Sequence, residues 1–347
     1  MPDFLPGVEL ARLFYTEAVR PLLGDLPHAA ARLGPGSDVL GFDTARSTDH
    51  DWGPRLELFT DDPGDLHETL RRRLPRRFRG WPTHFVPPAA RVRSMADTDG
   101  PVDHYVTITA FPRWCRALLG FDPARATLLD WLATPWQRFA EITGGAVFHD
   151  PGGVLGGVRE SLRWYPDNLW RHVLACQWRR IAQEEPFPMR AAEAGDELGS
   201  RVLTARLAHD AGRLLLLLGR RWPPYQKWVM HALGADPAAG HLRTALRSAD
   251  PRVREDALTT VFEIAAARQN ALGLAPAQPA TRSSFFDRGY AVIGADRFAE
   301  ALRAAISDPA IRALPLAGSV DQFADNTDVL TDPRLSRAIT QALIEPP

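Results

Sequence analysis

Two acidic residues and a small-residue turn form the strongest chemical pattern in this sequence. Gly36 and Ser37 make a turn-like pair, and Asp49 and Asp51 follow it, one residue apart from each other. Backbone N–H groups beside glycine and serine can approach phosphate oxygens closely, because almost no side chain stands in the way. If the Asp49 segment is extended, residues two apart face the same side, so both carboxylates can hold one hard cation pair. The pattern predicts a site for a triphosphate and its metal ions.

The same residues also fit an ordinary surface turn. Gly, Ser, Asp and Thr are common turn residues, so a solvated acidic turn with Thr48 and His50 would account for the pattern as well. In an extended segment His50 alternates away from the two acids, which favours a packing or orienting role over that of a base. Ser37 could hydrogen-bond a phosphate oxygen or cap the turn. Of the two interpretations, metal binding by Asp49 and Asp51 is favoured.

A third carboxylate usually completes such a metal site from a neighbouring strand. Glu57 lies on the next predicted strand, an even number of residues after Asp51, so the two side chains could share one face. The Gly53–Pro54 break interrupts this alternation and leaves the face of Glu57 open. Asp103 comes just before a later strand, whose interior at residues 106–109 contains no carboxylate. Glu57 is therefore a candidate third metal ligand, and the poor choice of third acids is the main gap in the metal-site hypothesis.

A second group of phosphate-binding candidates lies in the later half of the chain. Arg221 and Lys227 flank an aromatic turn, and Lys227 is the single lysine of the sequence. Together the two cations could clamp the phosphates of a nucleotide. A corner between two helices, packed by Trp222 and Tyr225, explains the same segment equally well.

Arginines crowd the segment from Arg71 to Arg79, close to Trp81. Such a cluster could contact an anionic substrate or a nucleic acid. Acidic residues between Asp61 and Glu68 balance its charge, and runs of charge are usually solvated. A solvated helix face is therefore the favoured interpretation of this basic cluster.

Composition and charge exclude several classes of protein. The 347 residues suffice for about two domains, and the formal net charge of -1 gives no global signal for a nucleic-acid partner. Cys115 and Cys176 stand in no metal-ligand spacing and fit a reducing, cytoplasmic setting. The sequence shows neither a signal peptide nor the roughly 20 apolar residues of a membrane span, so no membrane partner is expected. The oligomeric state stays open.

Hydrophobic spacing divides the chain into a mixed part and a helical part. The first part is predicted to contain helices at 9–23 and 127–142 and strands at 29–33, 55–59, 83–86, 105–111 and 146–148. Helices are predicted in the second part at 169–181, 197–218, 224–233, 238–248, 251–272, 296–306 and 333–343. The strand at 29–33 runs straight into Gly36, and the ends of strands are where open α/β sheets usually bind ligands. We expect a mixed domain at 1–157 and an all-helical domain at 158–347.

Several motifs resemble those of a bacterial family known as domain of unknown function 4037. The resemblance starts with the runs Gly36–Asp43 and Ser47–Arg55. It extends over nearly the whole chain, through Val147–Asp150, Tyr165–Pro166 with Trp170, Gln177–Glu185, Gly195–Ser200, Pro224–Trp228 and Gly318–Phe323.

That family is similar to a branch of the nucleotidyltransferase superfamily, in the style of the antibiotic nucleotidyltransferases. The resemblance implies an α+β fold with a nucleotidyltransferase-like mixed α/β head and a C-terminal helical substrate-binding domain. It also implies Asp49 and Asp51 as catalytic metal ligands and Gly36 with Ser37 as the phosphate turn. Mg²⁺ as cofactor, ATP or another nucleoside triphosphate as substrate, and a small-molecule acceptor as partner follow from the same resemblance.

The resemblance further implies a glutamate in relatives on the strand where this chain has Thr107. Two functions therefore stay open. The chain would either move a nucleoside monophosphate from a triphosphate to a small hydroxyl- or amino-bearing acceptor with Mg²⁺, or be a catalytically degenerate binder of a nucleotide or metabolite that lacks the third metal carboxylate. Action on a macromolecule such as tRNA has only the basic cluster Arg71–Arg79 in its favour.

Overall fold

The computed structural model describes residues 2–86 and 92–344. The chain divides into two compact units, a head unit of residues 1–127 and 138–163 and a helical unit of residues 128–137 and 164–347. The sequence predicted instead an uninterrupted head from residue 1 to 157. Residues 128–137 group with the helical unit because Trp131 packs against Tyr165 and Trp222, with ring centroids 5.6 and 6.5 Å apart.

A mixed four-stranded sheet forms the centre of the head unit. The strands of the chain are β1 (Ala29–Arg32), β2 (Arg55–Phe59), β3 (Arg77–Phe78), β4 (Trp81–Pro82), β5 (His84–Val86), β6 (Ser94–Ala96), β7 (Tyr105–Thr109), β8 (Ala146–His149), β9 (Ser283–Ser284) and β10 (Ala291–Val292). The sheet has the order β7-β2-β1-β8, in which β2 and β7 are parallel and β1 is antiparallel to both β2 and β8. The sequence predicted all four strands: β2 and β7 from alternating residues, and β1 and β8 from short apolar runs.

Helices make up most of the remaining chain. They are α1 (Gly7–Phe14), α2 (Leu66–Arg73), α3 (Phe111–Leu119), α4 (Leu128–Ala133), α5 (Trp136–Thr143), α6 (Val154–Ser161), α7 (Asp167–Glu184), α8 (Phe187–Glu193), α9 (Glu197–Leu218), α10 (Val229–Leu233), α11 (Pro237–Arg247), α12 (Pro251–Ala271), α13 (Asp296–Ala304), α14 (Pro309–Arg312), α15 (Val320–Phe323), α16 (Thr327–Thr331) and α17 (Pro333–Ile344). The predicted α+β class, a mixed head followed by a helical part, is confirmed.

The core of the head unit forms between the sheet and the first helical stretch. Helix α1 continues through one π turn (Tyr15–Val19) and one 3₁₀ turn (Arg20–Leu22), which accounts for the helix predicted at 9–23. Leu10 and Phe14 are fully buried with Leu56 of β2 in one apolar cluster. Spacing of three and four residues on the helix and two on the strand brings these side chains to a shared interior.

Two predicted helices are interrupted for a local reason. The helix predicted at 127–142 is split into α4 and α5 around Pro135, which cannot donate a backbone hydrogen bond and disfavours helical geometry at the residue before it. The helix predicted at 224–233 begins only at Val229, after the Pro223–Pro224 pair. In both places proline outweighs the apolar spacing of the segment.

Two further sequence expectations concern membranes and thiols. No helix within residues 2–86 and 92–344 has the length and apolar character needed to cross a membrane. Cys115 and Cys176 are both free thiols and both buried, and burial raises the pKa of each. They pack as small apolar groups.

Candidate functional site

A buried cluster of four charged side chains lies beneath the turn that follows β1. Arg32 donates from Nε to Asp38 Oδ2 at 2.7 Å and from Nη2 to Asp38 Oδ1 at 3.0 Å. Arg55 donates to the same Asp38 oxygen at 3.0 Å, and Glu57 is the fourth member. Burial opposes ionisation of Asp38, but the two guanidinium groups outweigh it and lower the pKa of this carboxyl. Asp38 is therefore ionised beside the two arginines, although all three side chains are buried.

The ion cluster holds the turn from the inside. The carbonyl oxygen of Pro35 accepts hydrogen bonds from Arg32 at 2.8 Å and from Arg55 at 3.1 Å. A Cβ atom on Gly36 would come within 2.1 Å of Asp38 Oδ1 and within 2.5 Å of both guanidinium groups, and Gly36 has φ +150°. Glycine is therefore required at position 36 by the buried ions, whether or not a phosphate approaches the same turn.

Glu57 takes part in this cluster with both of its carboxylate oxygens. Oε2 accepts from the backbone N–H of Leu33 at 2.8 Å, and Oε1 lies 3.3 Å from Arg32 Nη1. Burial raises the pKa of Glu57, while Arg32 counteracts that rise. In the parallel register Glu57 pairs with Thr107 of β7, so the position that resemblance assigns to a glutamate in relatives adjoins the cluster. A metal-binding role for Glu57 stays a prediction.

Asp49 and Asp51 do not lie on an extended segment. Asp49 ends a 3₁₀ turn that spans Ala45–Asp49, and Asp51 has φ +44°, the left-handed region. The prediction that both carboxylates face the same side assumed an extended segment. That assumption is wrong, because the backbone turns at both positions. Their assignment as metal ligands stays a prediction that no contact in the structure tests.

Each of the two acids has its own partner. The Asp49 side chain is 61% exposed and lies 3.0 Å from Nδ1 of His50. Asp51 Oδ1 accepts from the backbone N–H of Arg93 at 3.0 Å and from the Tyr105 hydroxyl at 3.2 Å. Asp51 thus ties its loop to the start of β7, whereas the Asp49 carboxylate remains accessible.

The chemistry of the donor set is compatible with Mg²⁺, which takes oxygen ligands and often uses only one or two carboxylates together with substrate phosphates. In the part of the chain that the structure describes, no group of three or more His, Cys, Asp or Glu side chains is arranged to hold a metal ion. Any metal shell built on Asp49 and Asp51 would therefore take its other oxygens from the substrate or from water.

Ser37, Arg221 and Lys227 are the remaining predicted nucleotide contacts. Ser37 is half-buried, and its carbonyl oxygen accepts from the N–H of Phe42 at 2.8 Å, which closes the turn. In the helical unit, exposed Arg221 donates to the carbonyl oxygen of Ala232, and exposed Lys227 places Nζ 4.7 Å from the Trp228 ring centroid. These contacts are those of a packed helix corner, and a phosphate-binding role stays a prediction.

The basic cluster Arg71–Arg79 is a solvated surface with nearby acidic partners. Arg71 lies 3.6 Å from Glu68, and Arg77 lies 2.7 Å from Asp97. Arg79 pairs with Glu17 at 2.5 Å. Exposed ion pairs of this kind contribute little to stability, and they partly neutralise the cluster.

A cavity of about 250 Å³ lies within the helical unit, and the sequence analysis did not assign it. Its ionisable lining residues are Arg180 of α7, Arg206, His209, Asp210 and Arg213 of α9, Asp321 of α15, and Asp325. Asp196 caps the N-terminus of α9, because its side chain accepts the N–H of Gly199 at 2.8 Å, and the helix supplies four of these residues.

Helical spacing explains why α9 presents a polar face to the cavity. Arg206, His209, Asp210 and Arg213 stand three and four residues apart and therefore share one side of the helix. The rest of this helix end is rich in buried leucine. A polar stripe inside a leucine-rich helix is the signal in the sequence that could have identified the site.

A chain of buried hydrogen bonds fixes the cavity wall. Gln322 of α15 donates to Oε1 of Gln177 at 3.0 Å, and Gln177 of α7 donates to Asp210 Oδ1 at 3.2 Å. Asp210 in turn accepts from Arg180, at 3.1 Å from Nε and 3.3 Å from Nη2. Because one link joins α15 to α7 and the others join α7 to α9, these three helices are held in a defined arrangement.

Arg213 and Asp321 form the buried end of the cavity. Arg213 Nη1 donates to the carbonyl oxygen of Asp321 at 2.7 Å, and its guanidinium carbon lies 5.6 Å from the centroid of the Trp136 ring. Asp321 Oδ2 accepts the backbone N–H of Trp136 at 2.8 Å. Burial raises the pKa of Asp321 to about 6, although the charge of Arg213 opposes the rise. Burial also lowers the pKa of Arg213, with Asp321 opposing that shift.

His209 adds an uncharged ring to the same wall. Burial, together with the charge of Arg213, lowers the pKa of His209 to about 4, so the imidazole is neutral near pH 7. Within residues 2–86 and 92–344, its buried Nε2 and the buried Nε of Arg213 have no hydrogen-bond partner. Such buried polar atoms are uncommon and call for a physical explanation.

One protein family matches a segment in the middle of the chain. Residues 131–229 match the family described as domain of unknown function (DUF4037), so the resemblance to this family is confirmed over that segment. Arg180, Arg206 and Arg213 lie inside the matched segment, whereas Asp49 and Asp51 lie outside it. The segment that matches this family contains most of the cavity wall.

One solved structure is similar over much of the chain. It is a nucleotidyltransferase-like protein from Exiguobacterium sibiricum 255-15, with 13% sequence identity, coverage of 77% of each chain and a TM-score of 0.32. A likeness of that size carries no argument about the present chain. No curated protein matches the sequence.

Replacing Gly36 by alanine should destabilise the head unit strongly. The added Cβ would collide with Asp38 and both arginines, so we expect a loss of about 3 kcal/mol in the free energy of unfolding. Gly41→Ala is the matched control, because Gly41 has φ +71° but open space around its Cβ position, and only about 1 kcal/mol of backbone strain is expected there. Urea unfolding measures both. Equal losses would contradict the steric role of the ion cluster.

Asp321→Asn should change how stability depends on pH. Because the folded-state pKa of Asp321 is about 6 against an ordinary 3.8, ionisation of the carboxyl costs stability as pH rises through 6. We therefore expect the variant to gain about 2 kcal/mol on the wild type between pH 4.5 and pH 7.5, because the full penalty of roughly 3 kcal/mol begins to build up near pH 3.8.

Urea unfolding at several pH values measures this difference. Asp325→Asn removes an exposed carboxylate of the same cavity and controls for the loss of a charge as such. A difference between Asp321→Asn and wild type that stays flat, or that falls as pH rises, would be inconsistent with a buried carboxyl at position 321.

Proposed function

We propose that this chain is a nucleotidyltransferase that moves a nucleoside monophosphate from ATP or another nucleoside triphosphate to a small hydroxyl- or amino-bearing acceptor. The observation that carries the proposal is the turn after β1, which the Arg32–Asp38–Arg55 ion pairs hold rigid and which is followed by the exposed carboxylate of Asp49. A rigid turn of small residues can bind a triphosphate through its backbone N–H groups, and an accessible carboxylate can hold the cation that accompanies the triphosphate.

The proposed roles follow from the chemistry of each residue. Backbone N–H groups at Gly36 and Ser37 would donate to phosphate oxygens. Arg221 and Lys227 stay predicted phosphate contacts of the helical unit. Asp49 and Asp51 would hold Mg²⁺, which when bound neutralises charge that develops on the phosphates. Glu57 would be a further ligand only if it left its contacts with Leu33 and Arg32.

The reaction itself is a substitution at phosphorus. The acceptor oxygen or nitrogen attacks the α-phosphorus in line, the bond from that phosphorus to the bridging oxygen breaks, and pyrophosphate leaves with the electron pair. The acceptor proton passes to solvent or to a base that the proposal does not assign. The protein contributes by holding the phosphates and the acceptor in a reactive geometry.

A second candidate is a catalytically degenerate protein that binds a nucleotide or metabolite. Two observations favour it: Glu57 has both oxygens engaged inside the ion cluster, and the neighbouring strand position holds Thr107 rather than an acid. A protein of this kind would bind its ligand without turnover.

Release of pyrophosphate from ATP, in the presence of Mg²⁺ and a panel of aminoglycosides, sugars and amino acids, tests the first candidate. Asp49→Ala should lower the rate by at least about a hundredfold, because it removes a proposed metal ligand and disturbs no buried contact. Asp62→Ala removes another exposed acid of the head unit and should leave the rate unchanged.

Calorimetry with ATP, with and without Mg²⁺, separates the two candidates. Mg²⁺-dependent binding that Asp49→Ala abolishes, together with turnover, supports the transferase. Binding that does not depend on the metal, with no pyrophosphate released, supports the degenerate binder. No binding and no turnover would contradict both.

A further inference from the structure

We propose that the cavity of the helical unit binds a small anionic metabolite whose carboxylate or phosphate group is held by Arg206 and Arg213. The proposal concerns residues of the helical unit alone. It does not rest on nucleotide transfer, and it would stand if the head unit bound no nucleotide.

Arg213 is the first reason to expect an anion. Its side chain is 6% exposed and lines the cavity, and its Nε has no hydrogen-bond partner in the part of the chain that the structure describes. A buried guanidinium is unfavourable unless it is paired and hydrogen-bonded. Asp321 offers Arg213 a carbonyl oxygen rather than a carboxylate oxygen as its hydrogen-bond acceptor. An anion in the cavity would supply the missing acceptor.

The three arginines of the wall differ in how far they are already engaged. Arg180 forms two hydrogen bonds with Asp210 and also donates to the carbonyl oxygen of Gln322, so all three of its guanidinium nitrogens already have acceptors. Arg206 is 57% exposed and contacts Glu184 through Nε at 2.9 Å. The terminal nitrogens of Arg206 are therefore the natural first contact for an anion, in the two-point geometry that arginine forms with carboxylate and phosphate.

The acidic side of the cavity restricts the rest of the ligand. Asp321 and the exposed Asp325 line the same space as Arg206 and Arg213. Carboxylates accept hydrogen bonds only, so they favour hydroxyl or amino groups on the ligand and disfavour a second anionic group placed against them. The ligand class is therefore an amino acid, a hydroxy acid or a sugar phosphate.

The size and rigidity of the cavity agree with this class. A volume of about 250 Å³ falls below the range usual for drug-sized ligands, so a small metabolite fits better than a large one. The buried Gln322–Gln177–Asp210 hydrogen bonds fix the wall before any ligand arrives. A preformed wall lowers the ordering cost of binding.

The test uses the full-length protein with two probes, inorganic phosphate and L-lactate, in calorimetric titrations at constant ionic strength. We expect at least one probe to bind in the millimolar range or tighter. Arg206→Gln should weaken that binding about tenfold, the value of one charge-assisted hydrogen bond. Comparison of the two probes tells whether the cavity prefers a phosphate or a carboxylate.

Arg201→Gln is the matched control for Arg206→Gln. Arg201 stands on the same helix, has a side chain that is 41% exposed and pairs with Glu197 at 2.8 Å, as Arg206 pairs with Glu184, but it does not line the cavity. The control should leave affinity within about twofold of wild type, because distant surface charges are screened by salt. Neither substitution should shift the melting temperature by more than a few degrees.

Two further variants sharpen the outcome. Arg213→Lys keeps the charge but removes the guanidinium fork, so probe binding should fall by at least about tenfold. Asp325→Asn removes a repelling charge, so phosphate binding should tighten about threefold, while Asp328→Asn, an exposed acid outside the cavity, should have no effect.

Failure of both probes to bind would overturn the proposal. Equal loss with Arg201→Gln and Arg206→Gln would overturn it as well, because the binding would then reflect diffuse surface charge. If Arg213→Lys does not fold, the opposite effects expected for Arg206→Gln and Asp325→Asn still decide the question.

Discussion

The contact between Arg32 and Asp38 is the interaction on which the head unit depends most. It joins the end of β1 to the turn that follows, and Arg55 extends it to β2, so two strands and a loop share one buried carboxylate. Removing one partner would leave an unpaired charge in the interior, which is far more costly than the pair itself is stabilising. The same contact leaves room only for glycine at position 36. Arg32 also contacts Glu57, which the sequence had made a candidate metal ligand.

The secondary structure was largely predictable because its causes are local. β2 was predicted with its observed bounds from alternation alone, and α9 from helical spacing after Asp196. The helix predicted at 127–142 was wrong where Pro135 divides it, a signal that the sequence did contain. The conformation of Asp51 was a different matter, because its turn is stabilised by Arg93 and Tyr105, and no pattern around Asp51 reports those distant partners.

The cavity of the helical unit shows the same division between local and distant causes. The spacing of Arg206, His209, Asp210 and Arg213 is visible in the sequence, and it marks one helix face as polar. Nothing in that spacing indicates that Gln177 supports the wall from behind or that Asp321 completes it, because their contacts join segments far apart along the chain. Motifs that resemblance picked out at Gln177–Glu185 and Gly318–Phe323 meet at this wall, although their chemistry could not be derived from either alone.

The placement of Asp321 has a consequence for how the protein is made. Helices α7 and α9 leave the ribosome well before residue 321 has been joined to the chain, since synthesis proceeds from the N-terminus at several residues each second. Until then the guanidinium of Arg213 lacks the carbonyl oxygen that later accepts from it, and Gln177 lacks its donor from Gln322. The nascent helices must therefore remain hydrated along their polar faces. Water can leave the interior of this unit only after residues 321 and 322 have been synthesised.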